Sequence, residues 1–312
     1  MTGRQRAIDM ARGKWKSILP LLGIPANVLD GKHHRCPANG EGDDRFRFAD
    51  RNGSGNFFCS CTAGKSGGIG LLMCCRGLTY AEAAKEVERV AGNAPATPPA
   101  DVEEAKAKAQ ARIKRIAQAS STPSPKDDVG EYLAGRGLAL PPQGLAVAPL
   151  DYYENGRSQG NYPTMVASIR GVDGKVQTLH LTYLQGGKKA PVRCPRKIVS
   201  GYEPGSAIRL FPAAEHLGVA EGIETALAAN QLFDLPTWAL ANEGNLRRFR
   251  PPPETKRVSI FADRDPSFAG QAAAYSLAQD LTRAGVECDV FVPPLLGKSD
   301  WNDVLLERRA AA

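Results

Sequence analysis

Three short stretches near the C-terminus carry acids of a type and spacing that suit phosphate chemistry: Glu221 in VAEGIETALAA, Asp263 and Asp265 in SIFADRDPSFAG, and Asp300 and Asp303 in GKSDWNDVL. Carboxylates are hard oxygen donors. Mg²⁺ prefers such donors, keeps several waters, and is held through one or two carboxylates plus substrate phosphates. Two such ions hold the attacking and leaving oxygens of an in-line displacement. The acids therefore favour metal-assisted phosphoryl transfer. Any one of the Asp residues, taken alone, reads equally well as a surface acid after a strand. A strand-end Glu together with a strand-end Asp-x-Asp is what carries the inference.

Positioning these acids requires strands. Residues 217–220, 237–241, 258–262 and 286–292 are short runs rich in apolar and β-branched side chains, separated by helix-period stretches at 223–232 and 271–284. The alternation predicts βαβ units with right-handed crossovers. In an open α/β sheet ligands gather at the carboxyl ends of the strands, so acids far apart in sequence converge there.

At these residues the chain resembles a Toprim domain, the Rossmann-like, mainly parallel fold shared by bacterial and phage primases, type IA and type II topoisomerases and some nucleases. The resemblance spans residues 218–303. Its signature is a Glu after the first strand, matched by Glu221, and an Asp-x-Asp after a later one, matched by Asp263 and Asp265. The Trp-Asn-Asp-Val-Leu ending is similar to the version in primases of phages and mobile elements, in which Asp300 and Asp303 complete the acidic cluster. The resemblance implies that Glu221, Asp263 and Asp265 are catalytic, and that these three with Asp300 and Asp303 hold Mg²⁺ or Mn²⁺. One departure is Thr225, which stands where replicative bacterial primases carry an Asp; Glu224 lies beside it.

At 312 residues the chain has room for two or three domains, and 42% hydrophobic residues suffice for ordinary cores. No stretch approaches 18 consecutive apolar residues and no signal peptide is visible, so the expectation is a cytoplasmic protein without a membrane partner. Seven Cys without an export signal argue for thiols or metal ligands over a disulfide framework. The net charge of +7 is uneven. Residues 1–92 carry 14 basic and 9 acidic side chains, a balance of +5, whereas residues 211–312 carry 10 and 14, a balance of −4. A basic front attracts nucleic acid without regard to sequence, and an acidic back holds cations.

Residues 93–100 (NAPATPPA) and 120–125 (SSTPSP) read as linkers. Between them lies a run of Ala, Lys, Glu and Arg, read as a solvated spacer helix with Asp101 at its N-cap. Its large apolar residues, Val102, Ile113 and Ile116, are too few for a broad core-facing stripe. These seams divide the chain into 1–92, 93–125, 126–211 and 212–312.

The first part holds KHHRCPANGEGDDRFRF followed by NFFCSCTAGKSGGIGLL. It is similar to the zinc ribbon of phage and mobile-element primases in Cys36-Pro37, Asp44-Arg45-Phe46-Arg47 and Phe58-Cys59, and residues 78–92 resemble the helix that ends that module. Asn39 stands in place of the second Cys, and Cys59-x-Cys61 is one residue tighter than the usual knuckle. Structural zinc takes four soft or imidazole ligands in a closed tetrahedron. Cys36, Cys59 and Cys61 supply three, and His34 or His33 the fourth; Cys74 and Cys75 are the alternatives.

In the middle part, residues 165–170 and 176–184 read as strands joined by a turn at 171–174. The arrangement resembles the basic subdomain that precedes Toprim in primases, which implies contacts of His180, Lys188, Lys189, Arg193, Arg196 and Lys197 with the template strand and the triphosphate. Two Gly-Lys-Ser segments, at 64–66 and 297–299, mimic the end of a phosphate loop. Each lacks the earlier Gly, where Cys59 and Val292 stand.

The expected fold is thus α/β: a Toprim domain, a basic β-rich subdomain and a small zinc-ribbon-like module. The resemblance implies a DNA primase that makes short RNA primers on single-stranded DNA from ribonucleoside triphosphates. Its cofactors would be Mg²⁺ or Mn²⁺ and one Zn²⁺, and a separate replicative helicase would be its partner. Arg45 and Arg47, with Phe46 and Phe57 or Phe58, would touch the template, although Phe46 and Phe48 also suit the module's core. A Toprim nuclease and a non-catalytic DNA-binding recruitment factor remain alternatives. A topoisomerase would need a larger scaffold than these residues allow.

Overall fold

The computed structural model describes residues 3–50, 53–59, 67–92, 99–154 and 156–311. They divide into two compact units, residues 1–106 and 107–312.

The first unit holds helices α1 (Gly3–Ala11) and α2 (Trp15–Leu21), a small antiparallel sheet of β1 (His33–His34), β2 (Phe46–Phe48) and β3 (Phe57–Cys59), and helices α3 (Gly67–Arg76) and α4 (Tyr80–Ala91). A capping box starts α4: the Thr79 side chain accepts from the Glu82 N–H while the Glu82 carboxylate accepts from the Thr79 N–H at 2.8 Å. Phe46, Phe48 and Phe57 are buried with Trp15, Ile18, Leu72 and Val87. Phe46 and Phe57 therefore build the core and are not free to stack on a template; Phe58, on the opposite face of β3, is exposed. Strand alternation explains the split.

Helix α5 (Pro99–Gln118) enters the second unit. It begins at Pro99, a favoured first helical residue, so Asp101 lies inside the helix and is not its cap. The solvated-spacer reading fails at its last turns, where Ile113 and Ile116 are buried with Tyr152, Val166, Leu181 and Tyr183. Two Ile three positions apart make a narrow stripe, and the broad aromatic sheet face supplies the rest of the contact.

Then follow α6 (Asp128–Gly135), capped by Asp127, and strands β4 (Leu145–Glu154), β5 (Arg157–Arg170), β6 (Val176–Gln185), β7 (Lys188–Lys189), β8 (Arg196–Ile198) and β9 (Ala207–Ile208). The C-terminal region alternates: β10 (His216–Ala220), α7 (Ile223–Phe233), β11 (Thr237–Ala239), α8 (Glu243–Leu246), β12 (Arg257–Phe261), α9 (Ala269–Arg283), β13 (Glu287–Phe291) and α10 (Trp301–Ala310). Strands β13, β12, β10 and β11 run parallel in that order. The apolar runs of β12, β10 and β11 are buried on both faces, as parallel strands covered by helices must be, while the edge strand β13 is half-buried. Gly218 in β10 is required, since a Cβ there would stand 2.2 Å from the Thr237 hydroxyl.

One sheet spans the basic and acidic halves of this unit. Strand β9 pairs antiparallel with both neighbours, Ile208 facing Ala239 of β11 on one side and Ile169 of β5 on the other. One apolar core joins the halves as well, packing Met165, Ala167 and Ile169 with Ala220, Ile223, Leu227, Trp301 and Leu305.

Candidate functional site

Strand β10 ends at Ala220 and β12 at Phe261, so Glu221 and Asp263 follow the carboxyl ends of adjacent parallel strands. The third acidic stretch is brought to them by the backbone. The Arg264 N–H donates to the Ser299 carbonyl at 2.8 Å and the Ser299 N–H returns the bond at 3.0 Å. Glu221, Asp263, Asp265, Asp300 and Asp303 consequently line one cleft of about 550 Å³, together with Arg264 and Lys298.

Their environments differ. Burial pushes the Asp263 carboxyl up, and the negative charges of Asp300, Glu221 and Asp265 add to it, to about 7; the Thr225 hydroxyl, donating at 3.2 Å, opposes the rise. Asp265 is held below the usual range by the Ser267 hydroxyl and by backbone N–H groups, including Gly270 at 3.2 Å. Asp300 is raised by burial and by Asp303. Both of these also start α10: Asp300 accepts from the Asn302 and Asp303 N–H groups at 2.8 and 3.0 Å, and Asp303 accepts from the Asp300 N–H at 2.9 Å.

Among the described residues no three His, Cys, Asp or Glu side chains already form a metal cage. The donor set still fits a hard divalent cation. It offers only oxygen, its charges raise one another's proton affinity, and Mg²⁺ needs one or two carboxylates when phosphates and water complete its shell.

Glu224 does not join this cluster. It is buried, 8% exposed, with the Lys189 ammonium at 2.8 Å and the Tyr132 hydroxyl donating to it at 2.5 Å. Burial pushes its carboxyl up, and the Lys189 charge with both hydrogen bonds outweighs that, bringing it down to about 2. Lys189 is thus half-buried in an ion pair and is not free to grip a triphosphate. His180 lies close by, 9% exposed, and burial depresses its pKa to about 4, so it is neutral at pH 7 and carries no charge to a phosphate. Its Nδ1 has no hydrogen-bond partner among the described residues.

The remaining basic residues of the middle part are more open. Lys188, Arg193 and Arg196 are exposed, Arg193 lying 3.7 Å from Glu154. The Lys197 ammonium sits 3.7 Å over the Tyr152 ring and donates to the Tyr153 carbonyl at 2.5 Å, which ties it to the sheet. Sequence reasoning missed Arg136. It follows α6 directly, its buried Nε lacks a partner among the described residues, and its charge acts on both Asp300 and Tyr132. An Arg just past a helix carries no signal of this in sequence.

In the first unit, the His34 Nε2 bonds Asp30 at 2.7 Å and the His33 Nδ1 bonds the Asp44 carbonyl at 3.0 Å. Arg45 pairs with Glu41 at 2.6 Å, and Arg47 donates to the Gly31 carbonyl at 2.9 Å. Burial pushes the Cys75 thiol up to about 12, helped by Cys74, Cys36 and Cys59. Soft thiol donors suit zinc in chemistry, and among the described residues no three of them, with or without His34, form a group that could hold the ion. Cys61 lies outside the described residues.

Comparison with known families is consistent with this geometry. Residues 216–311 match the Toprim domain. The acidic half of the second unit is a Toprim domain. Residues 31–70 match the zinc-binding domain of primase-helicase, and residues 107–210 a domain of unknown function, DUF7146. Among solved structures, a DNA primase domain from Pseudomonas aeruginosa is 14% identical, with a TM-score of 0.42 over 65% of this chain and 74% of that one. The primase fragment of the bacteriophage T7 primase-helicase protein is 17% identical, with a TM-score of 0.39 over 61% and 80%. The Aquifex aeolicus primase, with zinc binding and RNA polymerase domains, is 17% identical, with a TM-score of 0.40 over 96% and 82%. In the Toprim domain the cleft acids sit on the loops after β10 and β12 and at the start of α10. No described helix is long and apolar enough to cross a membrane.

Proposed function

We propose that the chain is a DNA primase of phage or mobile-element type, a nucleotidyltransferase that joins ribonucleotides on single-stranded DNA. The observation that carries the reading is the convergence of Glu221, Asp263, Asp265, Asp300 and Asp303 on one cleft, in a Toprim domain that shares a sheet with a basic strand module. Five carboxylates against Arg264 and Lys298 leave the cleft short of positive charge until a divalent cation enters. In the step proposed, a 3′-hydroxyl oxygen bonds to the α-phosphorus, the bond from that phosphorus to the β-phosphate oxygen breaks, and pyrophosphate leaves.

Glu221 is assigned to accept the hydroxyl proton, and Asp263 and Asp265, with Asp300 or Asp303, to hold Mg²⁺. A bound divalent ion supplies charge neutralisation at the phosphates. Lys188, Arg193, Arg196 and Arg136 are assigned to meet the triphosphate and template. Arg45, Arg47 and the exposed Phe58 of the first unit suit a single strand. A zinc ion on Cys36, Cys59 and two further thiols would brace that unit, and a separate helicase is the partner this reading implies.

The test is incorporation of radiolabelled ribonucleotides on unprimed single-stranded DNA with Mg²⁺ or Mn²⁺. Short RNA products that vanish in Asp263→Ala/Asp265→Ala support the reading. Template cleavage in the same lanes, without products, replaces it with a nuclease. Binding alone replaces it with a recruitment factor.

A further inference from the structure

Beside the acid cleft lies a second cavity of about 540 Å³ that the proposed chemistry does not use. The two share Arg264 and Asp265, so whatever occupies one is adjacent to the other. The second is lined by rings and aliphatic groups, chiefly Phe268, Tyr275 and Val292. Phe268 is 67% exposed and Tyr275 59%, in a protein that buries most of its large apolar side chains.

Phe268 is also held out against its own backbone preference. It has φ +57°, the left-handed region that disfavours side chains, immediately before α9. The hold is local. Its N–H donates to the Asp265 carbonyl at 3.1 Å, while the Asp265 carboxylate accepts from the Ser267 N–H at 2.9 Å and from Gly270. The acid assigned to the metal therefore anchors the turn that presents the ring. Arg264, between the cavities, is fixed by donation from its Nε to the Pro293 carbonyl at 2.9 Å, and its two terminal nitrogens carry no partner among the described residues.

We propose that this cavity takes an unpaired nucleobase, stacked on Phe268 or Tyr275, with the attached phosphate directed to Arg264 and the acid cleft. The proposal deepens the primase reading and rests on it for the placement of the phosphate. Aromatic rings beside a guanidinium are how single-stranded nucleic acid is held, since every base has a π-face. The volume falls in the range of small-molecule sites.

The experiment uses the full chain and 2-aminopurine, whose fluorescence is quenched by stacking. One arm places it within a single-stranded oligodeoxynucleotide, the other in 2-aminopurine riboside triphosphate, both in chelator and in Mg²⁺. We expect quenching in at least one arm, about tenfold weaker binding for Phe268→Ala or Tyr275→Ala, and recovery in Phe268→Trp. Quenching of the oligonucleotide only assigns the base to the template; quenching of the triphosphate only assigns it to the incoming nucleotide. Unchanged quenching and affinity in both alanine variants, which remove exposed rings and should leave the unfolding midpoint in place, overturn the proposal. Absence of primer synthesis with quenching intact removes the primase reading and leaves the base site standing.

Discussion

The Lys189 ammonium and the Glu224 carboxylate lie 2.8 Å apart although 35 positions separate them in sequence, one on the basic strand β7, the other in the first turn of α7. The pair locks the basic module to the helix that starts immediately after Glu221. It also removes Glu224 from the acid cleft and Lys189 from the free cations.

Removing one partner leaves a buried charge uncompensated. Lys189→Met is expected to lower the unfolding free energy by about 3 kcal/mol at pH 7, while Lys189→Met/Glu224→Leu recovers much of that loss. Glu224 has its carboxyl lowered from 4.5 to about 2, so its contribution is fully present above pH 4.5 and is lost as the pH falls towards 2. Urea unfolding at pH 7 and pH 3 measures both, and the gap between the native chain and Lys189→Met must narrow at the lower pH.

Asp263 has the opposite sign. Its carboxyl is raised from 3.8 to about 7, so its contribution is fully present below pH 3.8 and is lost as the pH rises through 7. In chelator, Asp263→Asn is expected to match the native chain near pH 4 and to exceed its stability at pH 8 by on the order of 2 kcal/mol. Mg²⁺ should reverse that order: at a hundred times its Kd it stabilises the native chain by about 2.7 kcal/mol and the variant by far less. Unfolding midpoints at both pH values, with and without Mg²⁺, check the claim.

Asp300 combines a cap with a proposed ligand, and two substitutions separate these. Asn caps a helix nearly as well as Asp, whereas Ala costs about 1 kcal/mol. Asp300→Asn should therefore keep most of the stability and lose primer synthesis, and Asp300→Ala should lose both. Full synthesis by Asp300→Asn would leave the residue a cap alone.

Zinc should be present at one ion per chain. Metal released by denaturation and read with a chromogenic chelator should fall to near zero in Cys36→Ser and Cys59→Ser. It should fall in Cys74→Ser or Cys75→Ser and stay near one ion in His34→Ala, because His34 already bonds Asp30. Loss of zinc only in His34→Ala would restore the histidine ligand expected from sequence spacing.

The parallel strands and their acids were legible because local patterns carry them: apolar runs of four to seven residues bounded by helix-period stretches, two of them leading directly into Glu221 and Asp263. The zinc-ribbon match and the β-hairpin at 171–174 were legible for the same reason. What escaped was non-local. An acid at the start of a helix reads as surface charge, and nothing near Glu224 announces the Lys189 that neutralises it. Lys188 and Lys189 look alike in sequence, yet they point to opposite sides of β7, one exposed and one half-buried in the pair. His180 read as a basic contact until its burial between strands was known. Ile113 and Ile116 looked too sparse to dock a helix because the surface they meet comes from Tyr152, Val166 and Tyr183.

The short strand at Ala207–Ile208 has a practical consequence for anyone cutting this chain. Because Ile208 completes the sheet on both flanks and one core runs beneath it, a fragment beginning at residue 212 would leave β11 as a bare edge and uncover Ile223, Leu227 and Trp301. An unpaired hydrophobic edge recruits other copies of itself. Expression of that fragment should yield aggregates, and the smallest piece that behaves as a monomer should start upstream of Ile113.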